Sequence, residues 1–161
     1  MGFYQFRTKQ ELHATVKEVW DFVSAPANLK IITPDYMGFN ITSEELPEKM
    51  YRGMIISYKV KPMMGIPVSW VTEITEVEEG KFFIDQQRIG PYQFWHHQHF
   101  IEDHGETVLM SDIVSYKPPF GLLGSAANYF MISRKIREIF EYRRHALEIR
   151  FPTPLLENFR E

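Results

Sequence analysis

The feature that most constrains this chain is a change of period near its C-terminal end. From Phe39 to Lys117 the sequence runs as segments of alternating apolar and polar residues, the mark of strands with one buried face. Turn signals separate them at Pro47, Pro62 to Pro67, Glu79-Gly80, Gly90-Pro91 and Asp103-His104-Gly105. The spacing predicts strands over Phe39–Glu44, Met54–Lys61, Val68–Glu78, Lys81–Ile89, Gln93–Glu102 and Glu106–Lys117. Connections this short join antiparallel neighbours, since parallel strands need a long crossover. After Pro118-Pro119-Phe120-Gly121 the alternation stops. Ile132, Ile136, Ile139, Phe140, Arg143 and Leu147 then recur at three- and four-residue spacing, predicting one amphipathic helix from about Leu122 to Phe151. Pro152 and Pro154 end it.

The N-terminal part adds one strand, Phe3–Leu12, and a helix whose Thr15 and Glu18 form a capping-box pair ahead of Val16, Val19, Trp20 and Val23. Pro26 suits the first turn of a second short helix, Ala27–Ile32, and Thr33-Pro34 ends it. The expected architecture is therefore α+β: a curved antiparallel sheet of about seven strands wrapped around a long C-terminal helix, with two short helices after the first strand. With 161 residues and no linker or repeat, the chain is expected to form a single domain over 1–161, its core at about 3–151 and a short tail at 152–161.

Composition removes several function classes. With no cysteine, disulfide scaffolds, thiolate metal sites and cysteine nucleophiles are excluded. Net charge is −3, which gives no overall attraction to nucleic acid. Ser125 to Phe151 carries six Lys/Arg against three Glu, a basic helix face expected to be solvated surface. The longest nearly uncharged run, Pro118 to Ser133, is too short and mixed to span a bilayer, and the first residues lack the pattern of a secretory signal. A cytoplasmic location is the expectation. There is no P-loop, GxGxxG, HExxH or GxSxG pattern, so nucleotide cofactors and common hydrolase chemistries have no support.

A twisted sheet covered by one helix tends to enclose a hollow, and strand parity suggests what lines it. Phe83, Asp85 and Gln87 share a face, as do Trp95, His97 and His99; Met110, Asp112, Val114 and Tyr116; and Trp70 with Thr72. If these point inward, the cavity is aromatic and apolar around a polar middle of Asp85, Gln87, His97, His99 and Asp112. His96 and Gln98 have the opposite parity and should face outward. The candidate ligand-binding residues are Trp70, Phe83, Asp85, Gln87, Trp95, His97, His99, Asp112, Val114, Tyr116 and Ile136. Three readings stay open for His97-x-His99: a hydrogen-bonded network with Asp85 and Asp112, a polar anchor orienting an apolar ligand, or a metal site with one of those carboxylates as third ligand. The missing cysteines and third histidine leave no metal or other cofactor assigned. A His–Asp pair there is also chemically fit for proton transfer. Two glycines and two leucines in Phe120–Gly124 suit either a lip over the cavity mouth or a tight turn into the helix, and the apolar tip Met63–Pro67 suits either a cavity rim or a homodimer contact.

Several stretches resemble the START-like, helix-grip superfamily called SRPBCC, and within it the small bacterial members labelled polyketide cyclase/dehydrase-like or ligand-binding. They are Trp20-Asp21-Phe22 with Pro26-Ala27-Asn28-Leu29, Gly65-Ile66-Pro67 with Trp70, and Phe83-Ile84-Asp85-Gln86-Gln87. Gly90-Pro91-Tyr92 with Trp95-x-His97-x-His99-Phe100, and Asp112-x-Val114-x-Tyr116 with Pro119-Phe120-Gly121-x-Leu123-Gly124, complete the likeness. The resemblance implies the helix-grip fold. It leaves activity open, since the superfamily includes lipid and sterol carriers, hormone receptors, aromatase/cyclases, chaperone regulators and oxygenase domains of much longer chains. The expected function, taken from the cavity lining, is binding of an apolar or amphipathic small molecule, with a cyclase, aromatase or dehydratase, or a protein-interaction module, as alternatives.

Overall fold

The computed structural model describes residues 2–61, 65–119 and 131–153. Strand β1 (Tyr4–Leu12) leads into helix α1 (Val16–Val23), two 3-10 turns (Pro26–Lys30 and Asp35–Met37), strands β2 (Asn40–Ile41), β3 (Ile55–Val60), β4 (Val68–Glu78), β5 (Phe82–Ile89), β6 (Phe94–Asp103) and β7 (Val108–Lys117), and helix α2 (Ser133–Arg150). The seven strands form one antiparallel sheet in the order β1-β7-β6-β5-β4-β3-β2, so the first strand closes onto the last. Register shifts interrupt the β4–β5 ladder between Val71 and Thr72 and between Ile74 and Glu76. Such irregularities strengthen local twist and bend the strand, which curves the sheet toward α2.

Local chemistry explains the elements. The Thr15 side chain accepts from the Glu18 amide, and the Glu18 carboxylate accepts from the Thr15 amide, so α1 starts where its capping box predicts. The second short helix is 3-10 rather than α: Asn28 donates to Ala25 and Ile31 to Asn28, both three residues back. The predicted strand Phe39–Glu44 shortens to Asn40–Ile41 because Thr42 and Ser43 both turn their amides onto the Ser57 carbonyl, ending the ladder. The predicted long helix is described from Ser133; its expected start at Leu122, the Phe120–Gly124 segment and Met63-Met64 lie outside the described residues.

The α2 stripe Ile136, Phe140, Arg143 and Leu147 is buried against the concave face of the sheet. At one end Leu147 and Phe151 join Leu12, Val19, Trp20, Ile74 and Met110 in an apolar core. At the other, Ile136 and Phe140 pack on Val114 and Tyr116. Arg143, counted from sequence with the solvated basic face, is instead 7% exposed: it occupies an apolar-stripe position, which turns it onto the sheet. Among the described residues no helix is long and apolar enough to cross a membrane.

Candidate functional site

Between the two cores the sheet and α2 do not close. A pocket of about 160 Å³ remains there, roughly ten times the 10–15 Å³ that a single water needs. Leu29, Ile32 and Met37 from the 3-10 region, Ile56 and Val60 from β3, Trp70 and Ile74 from β4, Phe83 from β5, Trp95 from β6, and Ile139 and Phe140 from α2 give it a mainly apolar wall. The aromatic part is mutually packed: Trp70 meets Trp95 edge-on at 5.3 Å and stacks on Tyr58 at 6.1 Å. Tyr58 and Thr72 join hydroxyls at 2.8 Å.

The polar part of the wall is Asp85, His97, His99 and Arg143. Register brings it together: Asp85 lies opposite His97 on the β5–β6 ladder, and His99 lies opposite Asp112 on the β6–β7 ladder. The two imidazoles overlap with centroids 3.6 Å apart, and Phe83 stacks on His99 at 4.0 Å. His97 Nε2 and His99 Nδ1 each lie 3.0 Å from Asp112 Oδ1. On the other side, Asp85 Oδ2 is 2.7 Å from His99 Nε2 and 3.5 Å from His97 Nδ1. Arg143 completes the cluster, with Nη1 3.4 Å from Asp112 Oδ1 and Nη2 3.4 Å from His99 Nδ1.

Burial alone would raise the Asp112 carboxyl, but the Arg143 charge, followed by hydrogen bonds from both histidines, holds it well below the usual carboxylate range. Asp85 behaves alike: burial opposes ionisation, and the His99 hydrogen bond with the nearby positive charge outweighs it. For His97, burial and then the neighbouring His99 dominate, pushing its pKa down to about 4 despite the carboxylates. Near neutrality His97 is therefore an uncharged imidazole between two carboxylates. Burial, and then the Asp85 charge, raise the Tyr58 phenol, so it stays protonated.

Of the residues expected at the site, Trp70, Phe83, Asp85, Trp95, His97 and His99 line the pocket. Asp112 lies behind the histidines, outside the lining. Gln87 is also outside it; its amide closes the β5–β6 connection by donating to the Tyr92 carbonyl at 2.7 Å and accepting from the Tyr92 amide at 3.2 Å. Val114, Tyr116 and Ile136 pack together in the adjoining core. His96 is on the outer face, where its Nδ1 meets Gln86 Nε2 at 3.0 Å. Arg143 was not expected there, although the signal was available: a cation in phase with Phe140 and Leu147 on an apolar stripe calls for a buried anion.

No protein-family model matches the sequence, and no curated protein matches it. Solved structures do. A START superfamily protein from Mycobacterium smegmatis superposes with a TM-score of 0.64 at 14% identity, covering 93% of this chain and 97% of that one. Ginseng major latex-like protein 151 from Panax ginseng gives 0.65 at 9% identity, over 94% and 99% of the two chains. A protein from Arthrobacter aurescens gives 0.69 at 16% identity, over 98% and 92%. At these identities the likeness is one of fold, and it spans nearly the whole of each chain. With a seven-stranded antiparallel sheet gripping a C-terminal helix, the chain has the START-like, SRPBCC helix-grip fold.

Proposed function

We propose that this protein binds an apolar or amphipathic small molecule in the pocket between the sheet and α2. The observation that carries this reading is the wall itself: apolar and aromatic over most of its area, with its ionisable groups gathered at Asp85, His97, His99 and Arg143. A few convergent polar groups in an apolar concavity fix the orientation of a ligand whose affinity comes from buried area. Trp70, Phe83 and Trp95 supply contact area, and the His–Asp–Arg cluster receives the polar end.

Native mass spectrometry of gently purified protein, repeated after denaturation, tests the reading. A reproducible added mass that leaves on unfolding is the expected result. Ile139→Trp, which fills the pocket from the helix side, should abolish both that mass and the binding of a fluorescent apolar probe while the circular dichroism spectrum is unchanged. Probe binding that survives in Ile139→Trp would sink the reading.

Proton-transfer catalysis by a His–Asp pair ranks second. The 2.7 Å contact of His99 with Asp85 at the pocket wall favours it. Against it, a His97 held near 4 is a weak base at neutral pH, far from the matched range that favours general acid–base work.

A further inference from the structure

We propose that Asp85, His97 and His99 form a binding site for a divalent transition-metal ion open to the pocket, with Asp112 as the carboxylate that orients both histidines. One ligand atom from each of the three lies within 4.8 Å of the others.

The hydrogen-bond inventory carries the inference further than proximity does. An ionised carboxylate only accepts. Asp112 Oδ1 stands 3.0 Å from both His97 Nε2 and His99 Nδ1, and the His97 contact is a hydrogen bond, so His97 Nε2 is an N–H donor. A neutral His97 then leaves its Nδ1 as a bare lone pair. His97 Nδ1 and His99 Nε2 turn toward the same oxygen, Asp85 Oδ2, at 3.5 and 2.7 Å, and the second contact is a hydrogen bond that His99 donates. A divalent ion taking the place of the His99 proton would be shared by all three atoms. A single proton on His99 Nε2 satisfies one contact and leaves His97 Nδ1 facing a carboxylate. That arrangement makes His99 Nδ1 an acceptor from Arg143 Nη2 at 3.4 Å. It then sets that same lone pair 3.0 Å from the Asp112 carboxylate.

The outer groups match what metal-binding histidines require. Such histidines donate their second N–H to a carboxylate, which fixes tautomer and ring orientation. Here His97 Nε2 is hydrogen-bonded to Asp112, whose Oδ1 also lies 3.0 Å from His99 Nδ1, and Arg143 Nη1 supports it at 3.4 Å. Ligand bonds of about 2.0–2.1 Å place donor atoms roughly 2.9–3.4 Å apart. The His97–Asp85 separation of 3.5 Å is close to that range, and the His99–Asp85 separation opens by a few tenths of an ångström. Two imidazoles and one carboxylate select a borderline ion such as Zn²⁺, Co²⁺ or Fe²⁺ over Ca²⁺ or Mg²⁺. The three ligands line the pocket while Asp112 does not, so the remaining coordination positions face the space where a ligand oxygen would sit. With neutral imidazoles, two carboxylates and one guanidinium leave the cluster at −1; a divalent ion reverses its sign.

The test is a titration of the chelator-treated full chain with Co²⁺, read by its visible d–d absorption, and with Zn²⁺ by calorimetry. One equivalent binding more tightly than about 10 µM is expected. Asp85→Asn and His97→Gln should weaken it more than a hundredfold, and Asp112→Asn by about 10–100-fold. No Co²⁺ spectrum at about 1 mM overturns the site, as does unchanged affinity in Asp85→Asn and His97→Gln, which would put the ion elsewhere on the chain. Should those variants fail to fold, X-ray absorption on wild-type Zn²⁺ protein decides: two imidazoles in the first shell support the site, and an all-oxygen shell overturns it. Apolar-probe binding measured on the metal-free protein stands apart from this test, so loss of the metal site and loss of the ligand pocket are separately visible.

Discussion

Around Leu147, α2 meets the sheet through a dry contact with Leu12, Ile74, Val108 and Met110. One turn earlier on the same stripe, Arg143 meets Asp112 and His99 beside an open pocket. Helix, stripe and sheet face are shared, and both residues are buried. The difference lies in what each does when its partners change. An apolar contact is non-directional, and its loss scales with the volume removed. A buried charge is held only while its counter-charges stay in place, because losing one partner leaves the other stranded away from water. The dry end of the interface therefore supplies stability, whereas the ionic stretch fixes geometry and exposes chemistry to the pocket.

The sharpest way to break this contrast is Arg143→Leu, which removes the only guanidinium in the cluster. It is expected to cost about 3–5 kcal/mol of unfolding free energy in urea titration, since Asp112 is left uncompensated. Adding Asp112→Asn to that variant should restore part of the loss, because the stranded charge goes with it. A double variant less stable than Arg143→Leu alone would mean that the pair is not coupled as described. Leu147→Ala should cost about 2–5 kcal/mol through its cavity, with no second substitution nearby that rescues it and with apolar-probe binding retained.

Acid titration of stability sharpens the same contrast. His97 is held near 4 in the folded chain and returns to about 6.5 on unfolding. As pH falls from about 6.5 to 4 the unfolded chain takes up the proton first, so this contribution to stability declines through that window. The depressed carboxyls of Asp85 and Asp112 add theirs lower down: it is complete above the unfolded value of about 3.9 and is lost as pH falls through the folded values. His97→Gln should flatten the decline between about pH 6.5 and 4 and leave the steeper acid limb below it. An identical slope in that window would show that His97 is not held neutral.

The smallest expected effect is on the other side of the same strand. His96→Gln should change stability by less than about 1 kcal/mol, because His96 sits half-buried on the outer face with Gln86 as its neighbour. A cost comparable to that at His97 would undo the inner–outer distinction.

Much of this was legible in the sequence, for particular physical reasons. Strand parity placed His97 and His99 inward and His96 outward, since side chains two apart share a face. The change of period located α2, and the Thr15–Glu18 pair located the start of α1. Partnership across strands was another matter. Parity puts Asp85 and Asp112 on the inner face, but only register tells that Asp85 faces His97 while Asp112 faces His99, and two shifts in the neighbouring β4–β5 ladder show how readily register departs from even counting. Gln87 shares the parity of Asp85 yet serves the Tyr92 backbone, because the strand is ending there. Val114, Tyr116 and Ile136 have the right parity or phase but lie where the sheet and helix close. The residues of the 3-10 region and β3 that finish the wall carry no pattern that separates cavity lining from core.

The pairing of β1 with β7 has a consequence for how the chain is made. Tyr4 pairs with Tyr116 and Leu12 with Val108, and the Gln5–Ser115 side-chain bond spans 110 residues. Strand β1 is synthesised ahead of the other strands and can dock only when β7 has left the ribosome, so its inner row of Tyr4, Phe6 and Leu12 waits unburied until then. Long-range closure of this kind slows folding because the loop entropy is lost before the contact forms. Arg7, Lys9 and Glu11 alternate along the outer face of the waiting strand. Their charge discourages premature pairing with another nascent chain until the native neighbour arrives.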